Sequence, residues 1–469
     1  MRRLVPLCLL GAALLAACGS QREAGTTSAS QPTVVRPAAP APDLAAPRHT
    51  PAVQVTVVDG DTNALVRGAR VTIGSRSAGS DRRGVARVPL VHRSSLVTQV
   101  AKFGYTVRSV RLSFRTHPKS TIRIYRRALQ WTMYGANPAR SQDQPGLDVR
   151  PPFHVVWSRG LGTLIEFPAV VQDGVAYIAN ARGTVRALDM RNGDVIWRHD
   201  TPHGKMAASP AVWGNELLVH GMDGHVWVLR RSDGHLLWHY TVGSPVESSP
   251  VIVQGADVFG AWNGTVTALD LRTHHVRWRY DDGCKVTSSV AQAGTTLYLG
   301  DYCGRLVALQ AGTGRLLFAR SVGGRVYGTP AVSGGRVFVP SSTGGSLTAF
   351  STSGRYLWRR STGSYVYSSP AAAGGRVFFG SYNGVFYALS ARTGRTLWAH
   401  GTGGPISGAA AVVAGVAYAG SFAHRIVGVD VRSGRVVLDF PHGEYVPVSG
   451  SGRRLLLHGY SRIYAVVHR

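Results

Sequence analysis

Three oxygen-bearing residues, Asp59, Asp61 and Asn63, alternate as the first ligands of a calcium loop do. Such a loop also needs glycine at its sixth position and an acid at its twelfth. Ala64 and Arg70 stand there, so DGDTN is expected to be a turn and not a metal site. A second stretch, YNGVFYALSARTGRTLW (382–398), sets two glycines, two arginines and a tryptophan close together. These are the residue types of a glycine loop with a basic contact and an aromatic platform, and equally of plain hairpin architecture. His274 and His275 are adjacent but stand in a turn position, which favours solvation over ligation. No HExxH, G-x-S-x-G elbow, Walker loop or zinc-spaced cysteine set occurs. The sequence therefore predicts no catalytic residue, no metal ligand and no cofactor.

The elements that hold these residues come from a repeat. Large residues that close each unit fall at Trp157, Trp197, Trp238, Trp278, Phe318, Trp358, Trp398 and Leu438, a spacing of 40 or 41. Each unit has the same order: a small-residue strand such as SPAVW, an apolar strand such as LLVHG, a glycine turn, a third apolar strand such as GHVWVLR, and a closing strand such as HLLW. A period near 40 with four strands per unit means a propeller. Seven units fill 158–438 and the tail supplies three more strands, so FHVVW (153–157) is expected to close an eighth blade from the N-terminal side. The predicted fold is all-β: an eight-bladed β-propeller over 128–469, preceded by a small β-sandwich over 51–127. In this frame Asn383-Gly384 of the second stretch is a two-residue hairpin turn, Thr393-Gly394 turns into the closing strand, and Arg392 and Arg395 lie on the outer rim.

Three resemblances add to this. The repeated pattern seen in ALDMRNGDVIW (187–197) and ALSARTGRTLW (388–398), with WTMYGANPARS (131–141) ahead of it, resembles the PQQ-like repeat propellers. With the exported N-terminus described next, it resembles the outer-membrane protein assembly lipoprotein BamB family in particular, which implies a non-enzymatic scaffold with envelope-protein partners. The quinone-dependent enzymes of this fold imply a calcium held by acidic and amide groups, an Asp base, a Trp under the ring and a vicinal Cys pair. No Cys-Cys occurs here. The run VVDGDTNALVRGARVTIG with SDRRGVARVPL and KFGYTVRSVRL resembles the carboxypeptidase regulatory-like (transthyretin-like) domain, implying a non-catalytic spacer.

At the N-terminus, Met1-Arg2-Arg3 precedes LVPLCLLGAALLAA (4–17), too short to span a bilayer and fitting an export signal. LAAC, ending at Cys18, resembles the bacterial lipobox. The expectation is a signal over 1–17, lipid on Cys18 and an extended Ala/Pro/Ser/Thr tether over 18–50. The chain is then exported and lipid-anchored, on the outer face of the cell membrane or in an outer membrane, and a monomer. Gly19 and Ser20 after the cysteine carry no inner-membrane retention signal. Charge is strongly positive, with 52 Lys+Arg against 24 Asp+Glu, and only Lys102, Lys119, Lys205 and Lys285 are lysines. Guanidinium groups bind anions bidentately, so an anionic polymer or glycan is a second class of partner; a generic basic surface is the bland alternative. Export removes the usual nucleic-acid targets.

Cys284 and Cys303 remain for an oxidising compartment. Counting ten positions either way from Ala293-Gly294 places them opposite each other on neighbouring strands, which predicts a disulfide; two free thiols are the alternative. Propellers meet ligands at the funnel. Residues five and three positions before the repeated proline should ring its mouth, among them Lys205, Glu247, Lys285, Arg325, Tyr327, Tyr365 and Tyr367, with Tyr445 beside the last blade. This basic and aromatic mixture suits an acidic or glycan-bearing partner, and a solvated rim is the alternative.

Overall fold

The computed structural model describes residues 52–90, 95–114, 118–202 and 204–469; the expected export signal, lipid site at Cys18 and tether lie outside them. The described chain begins with seven strands: β1 (Ala52–Asp59), β2 (Arg70–Ile73), β3 (Arg76–Gly79), β4 (Val85–Pro89), β5 (Ser95–Ala101), β6 (Arg108–Ser113) and β7 (Lys119–Ile124). They form two sheets, ordered β4-β1-β7 and β3-β2-β5-β6. Alternation dictates the layering. In β1, Val53, Val55 and Val57 turn inward while Gln54 and Thr56 stay half-exposed, and the inward faces of both sheets share one core with Phe114 and Ile124. DGDTN is a turn: the Asp59 carboxylate accepts the Asp61 and Thr62 amides, and Arg126 pairs with it at 2.9 Å.

Beyond it, four-stranded antiparallel sheets follow one another in chain order over 170–200, 211–241, 251–281, 291–321, 331–361, 371–401 and 411–441. An eighth is built from Gly443–Ser451, Arg454–Gly459 and Arg462–His468, with β9 (Phe153–Gly160) antiparallel to the last strand. Both ends of the ring thus lie in one sheet, as the repeat count required, which removes the free edge there. A short pair of residues, β8 (Asp143–Gln144), adds in parallel to the inner strand of the seventh blade.

Two repeated contacts hold blade to blade. At the rim, the closing aromatic of one blade lies against the turn glycine of the next, as with Trp197 on Gly234, Trp278 on Gly314 and Trp358 on Gly394. Those glycines have φ between +69° and +73°, and a Cβ would enter the indole ring. The indole N–H of Trp197, Trp278 and Trp358 donates to a carbonyl of the same turn. His274 takes the glycine's place in the third blade at φ +62°, and stacks on Trp238 with centroids 4.2 Å apart. Around the channel, the hydroxyl before four successive inner strands accepts the equivalent amide forty residues earlier: Ser249 from Ser209, Ser289 from Ser249, Thr329 from Ser289 and Ser369 from Thr329, at 2.8–3.1 Å.

The stretch 382–398 is therefore architecture, with one correction. Of Asn383 and Gly384 only Gly384 has positive φ, at +77°, and its amide reaches the Ser381 carbonyl. The turn is three residues plus a left-handed glycine, not a two-residue loop. Asn383 stays out of the left-handed region because its side chain is engaged, donating to Tyr387 and the Thr362 carbonyl.

Candidate functional site

Each blade sends chain past the funnel mouth twice: once in the loop before its inner strand, and once in the turn after its second strand. Lys285 and Thr287 lie on the first path of the fourth blade, and Tyr302 on the second. The Tyr302 amide donates to the Lys285 carbonyl at 2.9 Å. Cys284 and Cys303 flank this pair and are disulfide-bonded, with Cα atoms 5.9 Å apart. Neither cysteine stands in a strand, because the inner strand is only Ala291–Ala293. The bond ties the two passes over the mouth together and does not cross a ladder.

The mouth carries an arc of aromatic rings. Tyr302 and Tyr327 have centroids 4.5 Å apart, Tyr327 and Tyr367 5.0 Å, Tyr367 and Tyr382 4.9 Å, Tyr382 and Phe422 5.9 Å, and Phe422 and Tyr445 5.3 Å. Tyr365 joins at 5.7 Å from Tyr367 and is half exposed. At one end of the arc, the Lys285 ammonium sits 3.1 Å from the Trp262 ring centroid and 4.6 Å from that of Tyr302. The Arg325 guanidinium lies 5.9 Å from the Tyr302 centroid. Cations over aromatic faces at this range are held by the ring quadrupole.

Below the arc is a cavity of about 170 Å³ with Glu247, Tyr327, Tyr367 and Tyr445 in its wall, together with Glu166 and Tyr134. Burial pushes the Glu247 carboxyl up; the Trp262 N–H donating to it at 3.1 Å and the nearby Lys285 charge work against this. Burial likewise raises Glu166, with Lys205 opposing. Tyr445 is pushed up to about 12, first by burial and then by the neighbouring Glu444 charge. At neutral pH the Tyr445 phenol is a neutral hydrogen-bonding group.

The cavity ends on a floor. Residues 131–142 run across the channel and hand carbonyls to the inner strands of the second and the fourth to seventh blades: Thr132 to Val212, Pro138 to Gln292, Ala139 to Val332, Ser141 to Ala372 and Gln142 to Val412. Arg140 fills the centre and is fully buried, with φ +53°. Its guanidinium donates to the carbonyls of Val290 (2.9 Å), Ser249 (3.0 Å), Pro250 (2.7 Å) and Tyr134. Burial lowers it to about 10, so it keeps its charge at neutral pH.

Of the eight residues expected at the mouth, seven lie in the arc or the cavity wall beneath it. Lys205 is the outlying one, exposed and tied to the cluster only through its charge on Glu166 and Glu247. Sequence reasoning missed Trp262, Tyr302, Tyr382 and Phe422, which follow the second strand of their blades. Position in the repeat could have found them, since all four stand two residues after the strand's last glycine. It also missed Arg140, whose role as floor has no period to announce it.

A sequence profile described as "Outer membrane protein assembly factor BamB" matches residues 153–279, 262–362 and 341–444. Among curated proteins, the outer membrane protein assembly factor BamB of Burkholderia pseudomallei is 32% identical over 126 residues, covering 26% of this chain and 31% of that protein. The quinohemoprotein alcohol dehydrogenase ADH IIB of Pseudomonas putida is 26% identical over 111 residues, 20% of this chain and 16% of that protein. The chain thus spans under a third of the length of these relatives. The crystal structure of BamB from Moraxella catarrhalis superposes with a TM-score of 0.58 at 18% identity, over 68% of this chain and 98% of that one.

Proposed function

The chain belongs to the family of the outer membrane protein assembly factor BamB, and on that premise we propose that it is a non-catalytic scaffold of the cell envelope. It is anchored by lipid on Cys18 and receives a protein partner at the funnel mouth, while the sandwich serves as a regulatory-like spacer. The observation that carries this reading is the arc from Trp262 through Tyr302, Tyr327, Tyr367 and Tyr382 to Phe422 and Tyr445, set above a closed floor. Rings and a paired cation grouped on a rigid support are the composition of an interface hot spot.

The quinone reading fits the residues poorly. The face of Trp262 is taken by Lys285. Among the described residues, the cavity wall offers a hard cation two carboxylates, Glu166 and Glu247, with no Asp and no Asn or Gln amide beside them. At about 170 Å³ the cavity falls below the roughly 300–1,000 Å³ of small-molecule sites, and it suits a single inserted side chain.

Affinity capture from detergent-solubilised membranes tests the proposal. Wild type should retain a discrete partner, Lys285→Glu/Arg325→Glu should lose it, and Cys18→Ala should release the chain from membranes. Equal capture by wild type and the funnel variant would overturn the site.

A further inference from the structure

A second concavity lies where the sandwich meets the propeller. Two propeller glycines make the contact: Gly174 leaves room for the Tyr125 ring and Gly452 for the Asp61 carboxylate, and a Cβ at either would overlap them. Thr106 Oγ1 donates to the Asp173 carboxylate at 2.5 Å beside this contact. Between the walls opens a cleft of about 720 Å³. Arg123 of β7 faces it from the sandwich; Arg191, Arg453 and Arg454 face it from the propeller, with His468 at the end of the last strand.

Four guanidinium groups there meet two carboxylates, Asp61 and Asp148. Arg191 is already satisfied by Asp189 at 2.6 Å. Asp61 accepts the Arg126 amide at 3.2 Å. Among the described residues, Arg123, Arg453 and Arg454 have no ion pair and no side-chain hydrogen bond, whereas Arg126 and Arg191 have both. The Nε atoms of Arg123 and Arg454 are shut off from water with no acceptor. Both side chains are only partly buried, so it is their terminal nitrogens, which line the cleft without an acceptor, that can take one arriving from outside.

We propose that this cleft is a binding site for a phosphate-bearing anion. Three guanidinium groups without an acceptor offer more N–H donors than the two oxygens of a single carboxylate can take. A phosphate group carries about −1.5 to −2 and offers oxygens in the fork geometry of guanidinium. The space beyond one phosphate, on the side of Asp61 and Asp148, takes a polar body bearing hydroxyl or amino donors. Because Arg123 and Arg454 belong to different walls, the ligand bridges sandwich and propeller. This site is separate from the funnel and stands or falls without it.

The test uses the mature full-length chain with two probes: inorganic pyrophosphate by titration calorimetry, and phosphatidylglycerol vesicles against phosphatidylcholine vesicles by co-sedimentation. Arg392→Gln/Arg395→Gln removes the same charge from the rim and serves as control. Binding should survive the control and weaken about tenfold or more in Arg123→Gln/Arg454→Gln, the loss expected for charged hydrogen bonds. Arg453 is exposed, so Arg453→Gln, expected to weaken binding several-fold, carries the test if the double variant does not fold. Pyrophosphate binding points to a soluble or polymer-borne phosphate; cleft-dependent binding of the phosphatidylglycerol vesicles alone points to a lipid headgroup. No binding of either probe, or equal loss in the control and the cleft variants, overturns the proposal.

Discussion

At the rim of the propeller, blade after blade repeats one contact, an aromatic ring against a left-handed glycine. At the mouth of the funnel, no two blades offer the same pair: Lys205 and Ala207, Pro245 and Glu247, Lys285 and Thr287, Arg325 and Tyr327, Tyr365 and Tyr367, Pro405 and Ser407. Both regions are rich in aromatic and cationic groups, so composition does not separate them. What separates them is repetition. A residue present in every copy answers to the geometry shared by all blades, whereas a residue present once answers to something met at one place.

That contrast orders what substitutions should do. The largest effect belongs to the rim. Gly314→Val should cost about 3–5 kcal/mol, since it adds backbone strain at φ +69° and drives a side chain into Trp278. Gly294, at φ +58° with open space around it, gives the control: the same change there should cost only the strain, about 1–2 kcal/mol. Equal losses by urea unfolding would mean that the ring contact carries no weight.

Next comes the floor that both regions share. Arg140→Leu should destabilise by about 3 kcal/mol, because it leaves the carbonyls of Ser249, Pro250 and Val290 without a donor. A neutral outcome would say that the central guanidinium is dispensable. Replacing both Cys284 and Cys303 by serine should cost about 2–3 kcal/mol for a loop of this length, and should also weaken partner capture by loosening Lys285 and Tyr302. Intact mass without reductant should be lower by two hydrogens than the reduced chain.

A smaller effect should appear with pH. Asp282 is buried next to the disulfide, where loss of water and then the Asp301 carboxylate push its pKa above the ordinary 3.8, against Arg305. The folded state then holds this proton more tightly than the unfolded chain. Its contribution is fully present at acid pH and is lost as pH rises above 3.8 through the raised value. Asp282→Asn should flatten that slope, by at most about 1.4 kcal/mol per pH unit. An unchanged slope would place the titration elsewhere.

Much of this was legible from spacing alone. A 40-residue period fixed the blade count, the strand order and the closure by Phe153–Gly160, because a ring of identical sheets leaves one solution. The same period located the mouth, since Lys285, Arg325, Tyr327 and Tyr367 occupy equivalent positions. What spacing could not give is what occurs once. Arg140 is one arginine in a chain full of them, and only the carbonyls of Ser249, Pro250 and Val290, from blades remote in sequence, distinguish it. The turn at Asn383 is not legible from its own residues because one of the side-chain bonds that hold it, to the Thr362 carbonyl, comes from the preceding blade. Cys284 and Cys303 were paired by a register count, yet the bond runs between loops, so the pairing followed from proximity to the strand ends and not from the ladder.

The smallest effect on stability should come from the mouth itself. Lys285→Glu/Arg325→Glu should stay within about 0.5 kcal/mol of wild type, as surface changes do, while altering recognition most. Photo-crosslinking tests that division directly. A benzophenone amino acid is placed in turn at Tyr365 in the funnel arc and at Arg392 on the rim, both exposed, and intact cells are irradiated. The account predicts one discrete adduct from position 365, abolished by the Lys285/Arg325 charge reversal, and none from 392. Adducts from 392 alone, or equally from both, would contradict it.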